Sequence, residues 1–231
     1  TVMTKPAYKF FFAPKLFQAY KRADAISSRS VVLSDKIKEL SPYAINKTFI
    51  APSGVDETII EPYEYFDKKA TFFNEPLAIC TTAKLIKRKN VDVIIKAVAK
   101  IKEQNFVLKI MGDGPEMENL KNLAKEMHVE DKVLFMGHIP NKDVLVTLRQ
   151  SDIFVLLSTG ETFGMAYLEA AARGDIVIAT KNDGIDGIIK DNYNGFTCNP
   201  DADELADLIN RILEMPKEEI KRIMLNQRED L

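Results

Sequence analysis

From residue 77 onward, short apolar runs alternate with segments of helical period. A chain patterned this way folds as repeated βα units on a parallel sheet, because each apolar run needs helices to cover it. Residues 77–81 predict a strand, and 90–104 a helix whose Val91, Ile94, Ile95, Val98 and Ile101 share one face. Residues 106–111 predict the next strand. Pro115 suits a first helical turn, and Met117, Leu120, Leu123, Ala124 and Met127 continue that helix at a spacing of three to four. A third strand over 132–136 precedes a helix that Asn141 caps and that buries Val144, Leu145 and Leu148. A fourth strand is expected over 153–157, then a helix from about residue 163 that ends at Gly174 as a C′ glycine. A fifth strand over 176–180 and two helices, 202–214 and 217–226, close the chain. The fold class expected is α/β, a doubly wound parallel sheet.

Residues 1–50 differ in style. Phe10, Phe11, Phe12 and Phe17 read as core or docking surface ahead of a membrane-contacting patch, and one strand-helix unit is expected around 25–40. That is too little for an independent domain. Residues 48–51 then lead into Pro52-Ser53-Gly54-Val55-Asp56, a turn-forming stretch expected to act as a hinge. The chain opens on Thr1 instead of methionine, from which a processed, proteolysed or cut piece is expected.

Charge and composition exclude several classes. Lys and Arg number 32 against 34 Asp and Glu, spread along the chain, so no basic face for nucleic acid is declared and any anion site must be local. Cys80 and Cys198 lie in apolar, strand-like stretches without metal-ligand or redox spacing and are expected as reduced core thiols. His128 and His138 each lack a second ligand nearby, which is poor material for a zinc site or a catalytic triad. No apolar run approaches the ~20 residues of a membrane span and no signal peptide opens the chain, so a cytoplasmic location is expected.

In a doubly wound sheet, ligands bind beyond the carboxyl ends of the strands. The residues there are Ala83, Lys84, Lys87, Arg88 and Lys89 after the first strand, Gly112-Asp113-Gly114-Pro115 after the second, Gly137-His138 after the third, and 158–164 after the fourth. They suit a phosphate-bearing ligand. Gly112 and Gly114 let backbone amides approach a phosphate, or serve backbone geometry alone; the lysines clamp a diphosphate, or form a solvated helix entrance. Neither a dinucleotide Gly-x-Gly-x-x-Gly nor a P-loop is present. Glu169 is the only charge in a long apolar helical stretch, so it asks for donors such as ligand hydroxyls, or for a structural hydrogen bond within the fold. Glu161 stands one loop earlier, at the mouth of the cleft.

These residues resemble the retaining GT-B glycosyltransferases, a family that includes many capsule and lipopolysaccharide enzymes. The likeness spans about residues 15–215. It rests on two glutamates separated by seven residues, Glu161 and Glu169, with Phe163-Gly164 between them, and on Gly54-Val55-Asp56, Lys84-Leu85 with Lys89, Gly112-Asp113-Gly114-Pro115, Phe135-Met136-Gly137 and Asn194-Gly195-Phe196 in that order. The resemblance implies catalytic roles for Glu161, Lys84 and Lys89. Lys84 and Lys89 would hold the donor diphosphate, Glu169 the ribose hydroxyls, and Glu161 with the Phe163, Gly164 and Met165 backbone the donor sugar. His138 and Ile139 would flank the base, and Ala83, Gly112, Gly114 and Leu168 would complete the donor pocket. Lys84 stands where the family usually has arginine, Ala83 where it has glycine, Leu157 where it has proline, and Asp183 with Gly187 where it has glycine and glutamate.

The fold implied is the Rossmann-like C-terminal half of GT-B. Residues 1–50 are then the remnant of an acceptor-side domain with its hinge, 51–215 the donor-binding domain, and 216–231 a helix crossing toward the missing half. Ile220, Ile223 and Met224 are therefore expected to be exposed or paired between chains. A UDP- or GDP-linked sugar is the donor implied, with no cofactor and no metal required. The acceptor is a glycan or lipid-linked molecule held by the missing domain, and the full-length protein would meet the inner face of the membrane peripherally. Without that domain, the chain alone is expected to be inactive. The alternatives are a non-catalytic nucleotide-sugar-binding module and a sugar-nucleotide epimerase or phosphorylase on the same architecture.

Overall fold

The computed structural model describes residues 13–69 and 73–231, so Phe10, Phe11 and Phe12 lie outside the described residues. Helix α1 (Ala13–Arg22) leads to β1 (Ile26–Ser28), α2 (Val31–Leu40) and β2 (Thr48–Ile50). β1 and β2 pair in parallel as a small separate sheet, the expected strand-helix unit plus its return strand. Phe17 is exposed on α1. Ser30 caps α2, its hydroxyl accepting from the Leu33 amide at 3.3 Å. The stretch over 51–56 carries no regular structure and ends in a single 3₁₀ turn, after which α3 (Tyr63–Lys69) enters the main body.

The main body begins with β3 (Leu77–Thr82), α4 (Val91–Val98), β4 (Phe106–Met111), α5 (Met117–Glu126) and β5 (Val133–Gly137). It continues through α6 (Asn141–Arg149), β6 (Ile153–Leu156), α7 (Met165–Ala172), β7 (Ile176–Thr180), β8 (Phe196–Cys198), α8 (Ala202–Glu214) and α9 (Lys217–Glu229). The strands form one six-stranded sheet in the order β5-β4-β3-β6-β7-β8, every neighbouring pair parallel. Successive side chains of a strand point to opposite faces, which divides the core in two. Ile79, Ile153, Val155, Ile176 and Ile178 pack with α4, α5 and α8, whereas Cys80, Phe154, Leu156, Val177 and Ala179 pack with α6 and α7. Burial on both faces is why these strands read as unbroken apolar runs. Both cysteines are free and buried within strands.

Three expectations are corrected. The helix expected over 90–104 is only α4, because Asn90 takes a left-handed conformation (φ 50°) ahead of it and the Lys102 amide donates to the Asn210 side chain at 2.8 Å instead of extending the helix. Asn141 does not cap α6. It lies inside the first turn, where the Pro140 carbonyl already accepts from the Asp143 and Val144 amides. The third correction concerns α9, where Ile220, Ile223 and Met224 are buried, Ile223 completely. The chain supplies their partner itself, since α9 packs on α3 and α7. Lys221 pairs with Asp67 of α3 at 3.1 Å, Arg228 lies 3.7 Å from the Tyr63 ring centre, and Gln227 donates to the Asp175 carbonyl at 2.6 Å.

Candidate functional site

From β3 the chain steps outward to β4 and β5, returns to place β6 on the other side of β3, and steps outward again to β7 and β8. The switch point therefore lies between β3 and β6, and beyond their carboxyl ends is the place where a doubly wound sheet forms its ligand crevice. Its two walls are the loop 83–90 after β3 and the loop 157–164 after β6. Side chains 72 residues apart in sequence close across it: the Lys89 ammonium donates to the Glu161 carboxylate, and Arg88 stands 3.6 Å from the same oxygen. Burial alone would raise the Glu161 carboxyl, but the hydrogen bond and charge of Lys89, followed by Arg88, hold it below its ordinary value. Lys84 is exposed, and among the described residues its ammonium has no partner.

Glu161 is mounted from beneath by the loop after β7. Asp183, buried there, accepts from the Glu161 amide at 3.2 Å and from the Gly184 amide at 2.8 Å. A Cβ on Gly184 would overlap the Glu161 backbone, so glycine is what lets the two loops touch. On the other wall, Asn90 donates to the Leu157 carbonyl at 2.6 Å and to the Thr159 hydroxyl at 2.9 Å. Sequence reasoning missed Asn90 as a site residue and saw in Asp183 only a departure from a family pattern. The signal for Asn90 was an asparagine directly before a helix, where side-chain hydrogen bonding and left-handed geometry are both favoured.

Glu169 sits on the second turn of α7, half-buried. Among the described residues nothing hydrogen-bonds or pairs with its carboxylate, and burial raises its pKa. Among the described residues the carboxylate therefore has no structural partner. Gly164 precedes α7 at φ 88°, where a Cβ would strike the Tyr167 ring, and no side chain caps the helix. The first amides of α7 are accordingly presented to the crevice end of the sheet.

Gly112 and Gly114 have a geometric cause. A Cβ on either would overlap the carbonyl oxygens of Ala83 and Leu85 respectively, and Gly112 stands at φ 136°. The 112–116 turn is stitched to the β3 loop by Leu85 N to Asp113 O at 2.9 Å and Glu116 N to Leu85 O at 3.1 Å. Their first effect is therefore to hold Ala83 and Lys84 in place. His138 is exposed after β5, with Ile139 half-buried beside it. Phe163 and Leu168 point into the core, Met165 is half-buried, and Leu168 also lines a cavity of about 480 Å³ shared with Pro52, Gly54 and Gly187. A cavity of about 560 Å³ lies at the opposite, amino-terminal end of the sheet beside Leu77, away from all of these residues. Among the described residues, no cluster of His, Cys, Asp and Glu could hold a metal ion.

The fold and the crevice define a doubly wound α/β module whose ligand end is charged and framed by glycines. The model of the family "Glycosyl transferases group 1" matches residues 63–230, and the chain belongs to that family. It is 33% identical over 205 residues to N-acetyl-alpha-D-glucosaminyl L-malate synthase of Bacillus anthracis, covering 83% of this chain and 53% of that protein. It is 28% identical over 227 residues to a putative colanic acid biosynthesis glycosyltransferase of Escherichia coli, covering 94% and 54%. The chain thus spans about half the length of these curated relatives. Among solved structures it resembles Anabaena HepE in complex with UDP, with a TM-score of 0.80 at 20% identity over 98% of this chain and 64% of that one. The C-terminal domain of a glycosyl transferase group 1 protein from Francisella tularensis matches with a TM-score of 0.64 at 24% identity, covering 77% of this chain and 96% of that domain. At these identities the likeness is one of fold, that of the GT-B glycosyltransferases.

Proposed function

We propose that this chain carries the donor half of a retaining glycosyltransferase acting in polysaccharide, capsule or lipopolysaccharide assembly. The observation that carries the proposal is the charged crevice at the β3–β6 switch point, where Lys89, Arg88 and Glu161 converge and Glu169, on the helix that follows, has no partner among the described residues. Lys84 and Lys89 hold the donor diphosphate, Glu169 accepts from the ribose hydroxyls, and Glu161 with the backbone of Phe163, Gly164 and Met165 contacts the sugar. His138 and Ile139 flank the base. When the bond from the anomeric carbon to the phosphate oxygen breaks, its electron pair leaves on the nucleoside diphosphate. The lysines and the α7 amides stabilise that charge, so this reading requires no metal. The acceptor, a glycan or lipid-linked molecule, is held across the cleft by a second domain, and the whole protein works in the cytoplasm at the inner face of the membrane.

The relative from Anabaena crystallised with UDP makes a uridine donor the first to try, with a guanosine donor the alternative. Calorimetric titration of UDP, GDP, ADP and their sugar conjugates against the folded chain is the test. One nucleoside diphosphate should bind at micromolar to millimolar concentration. Absence of heat and of any melting shift with all of them would sink the reading.

A further inference from the structure

We propose that Asn90 is a positioning residue that sets the width of the crevice and aims Lys89 at the diphosphate. This rests on the donor reading given above. Asn90 follows the single 3₁₀ turn Lys87–Lys89 and precedes α4, and its backbone is left-handed at φ 50° and ψ 36°. That conformation is uncommon for a residue with a side chain, and asparagine is among the few that adopt it without large strain. The turn aims the Asn90 amide across the switch point, where it donates to the Leu157 carbonyl at 2.6 Å and the Thr159 hydroxyl at 2.9 Å. The Thr159 amide returns a hydrogen bond to the Arg88 carbonyl at 2.7 Å. Besides the Lys89–Glu161 pair, three hydrogen bonds thus tie the loop that carries Lys89 to the loop that carries Glu161. The Glu161 side is in turn fixed from below by Asp183, so the separation of the two walls depends on the Asn90 side.

Two features of Asn90 can be removed separately. Asn90→Gly keeps the left-handed backbone and deletes the amide; Asn90→Asp keeps the size but sets a carboxylate oxygen against the Leu157 carbonyl, leaving only the Thr159 hydroxyl, turned round, to donate to it. Affinities for UDP and uridine, and in parallel for GDP and guanosine, are measured by calorimetry on wild type, Asn90→Gly, Asn90→Asp and Lys89→Ala, with melting temperatures alongside. The expected result is that Asn90→Gly weakens diphosphate binding about three- to tenfold while nucleoside binding changes less than twofold, with Asn90→Asp lowering it further. A merely structural role would lower the melting temperature and move both ligands together, which overturns the proposal. A selective loss in Lys89→Ala with none in the Asn90 variants overturns the positioning role and leaves the clamp standing. No selective loss in Lys89→Ala overturns the clamp, and absence of binding by wild type overturns the donor reading and this proposal with it.

Discussion

A carboxylate lowered into a protein surface without a partner is costly, and among the described residues Glu169 has none. Its raised pKa means that the folded chain binds more protons there than the unfolded chain, so its contribution to stability falls as pH rises through that region. Removing its charge should therefore leave the fold as stable or make it more so. For ligand binding the sign is opposite, because the ionised form is the acceptor for hydroxyls. Glu169→Gln should weaken nucleotide affinity by about 1–3 kcal/mol near neutral pH. Wild-type affinity should decline as the solution is acidified through the raised pKa, and the variant's should stay flat. Calorimetry over a pH series, with melting curves alongside, tests both signs; unchanged affinity with a large fall in stability would return Glu169 to a structural role. Glu169 was legible in the sequence as the only charge in an apolar stretch. Its pairing state was not, since that depends on which groups other elements bring near.

At the scale of elements, the apolar pattern placed β3 to β7 and the buried faces of α4 and α5, but it passed over β8, and the resemblance misjudged the apolar side of α9. The unbroken apolar runs of β6 and β7 and the three-to-four spacing of α5 are local properties that each segment carries with it. What covers the apolar side of α9 is not local. Its Ile220, Ile223 and Met224 were expected to await another surface, and α3, a short helix that sequence reasoning missed, supplies one within the chain. Ile223 is fully buried, so Ile223→Ala should destabilise the protein by about 2–5 kcal/mol, and without any change in oligomeric state. Urea unfolding and sedimentation of the two proteins measure this. A cost under about 1 kcal/mol would mean that α9 is not part of the core.

At the scale of the whole molecule, proximity decides whether binding becomes reaction. Residues 26–50 add two short parallel strands and α2, and Ser30 of that unit donates to the Thr162 carbonyl at 3.3 Å, so it meets the crevice rim without walling it. Holding donor and acceptor together is a large part of such a rate. The 231-residue chain by itself is thus expected to bind a nucleotide sugar and to release its sugar to water slowly at most. Radiolabelled-donor assays with glycan and lipid-linked acceptors check this; robust transfer by the isolated chain would refute it. The sequence by itself determined the α/β class, the parallel sheet, the buried cysteines and the loops in which chemistry could lie, because burial on two faces and turn geometry leave marks within a few residues of where they act. Only the tertiary structure decided that Lys89 meets Glu161, that Gly112 and Gly114 make room for the backbone of Ala83 and Leu85, and that α9 closes its own core. Each of these depends on the strand order β5-β4-β3-β6-β7-β8, which sets which distant loops become neighbours and which no local pattern of residues encodes.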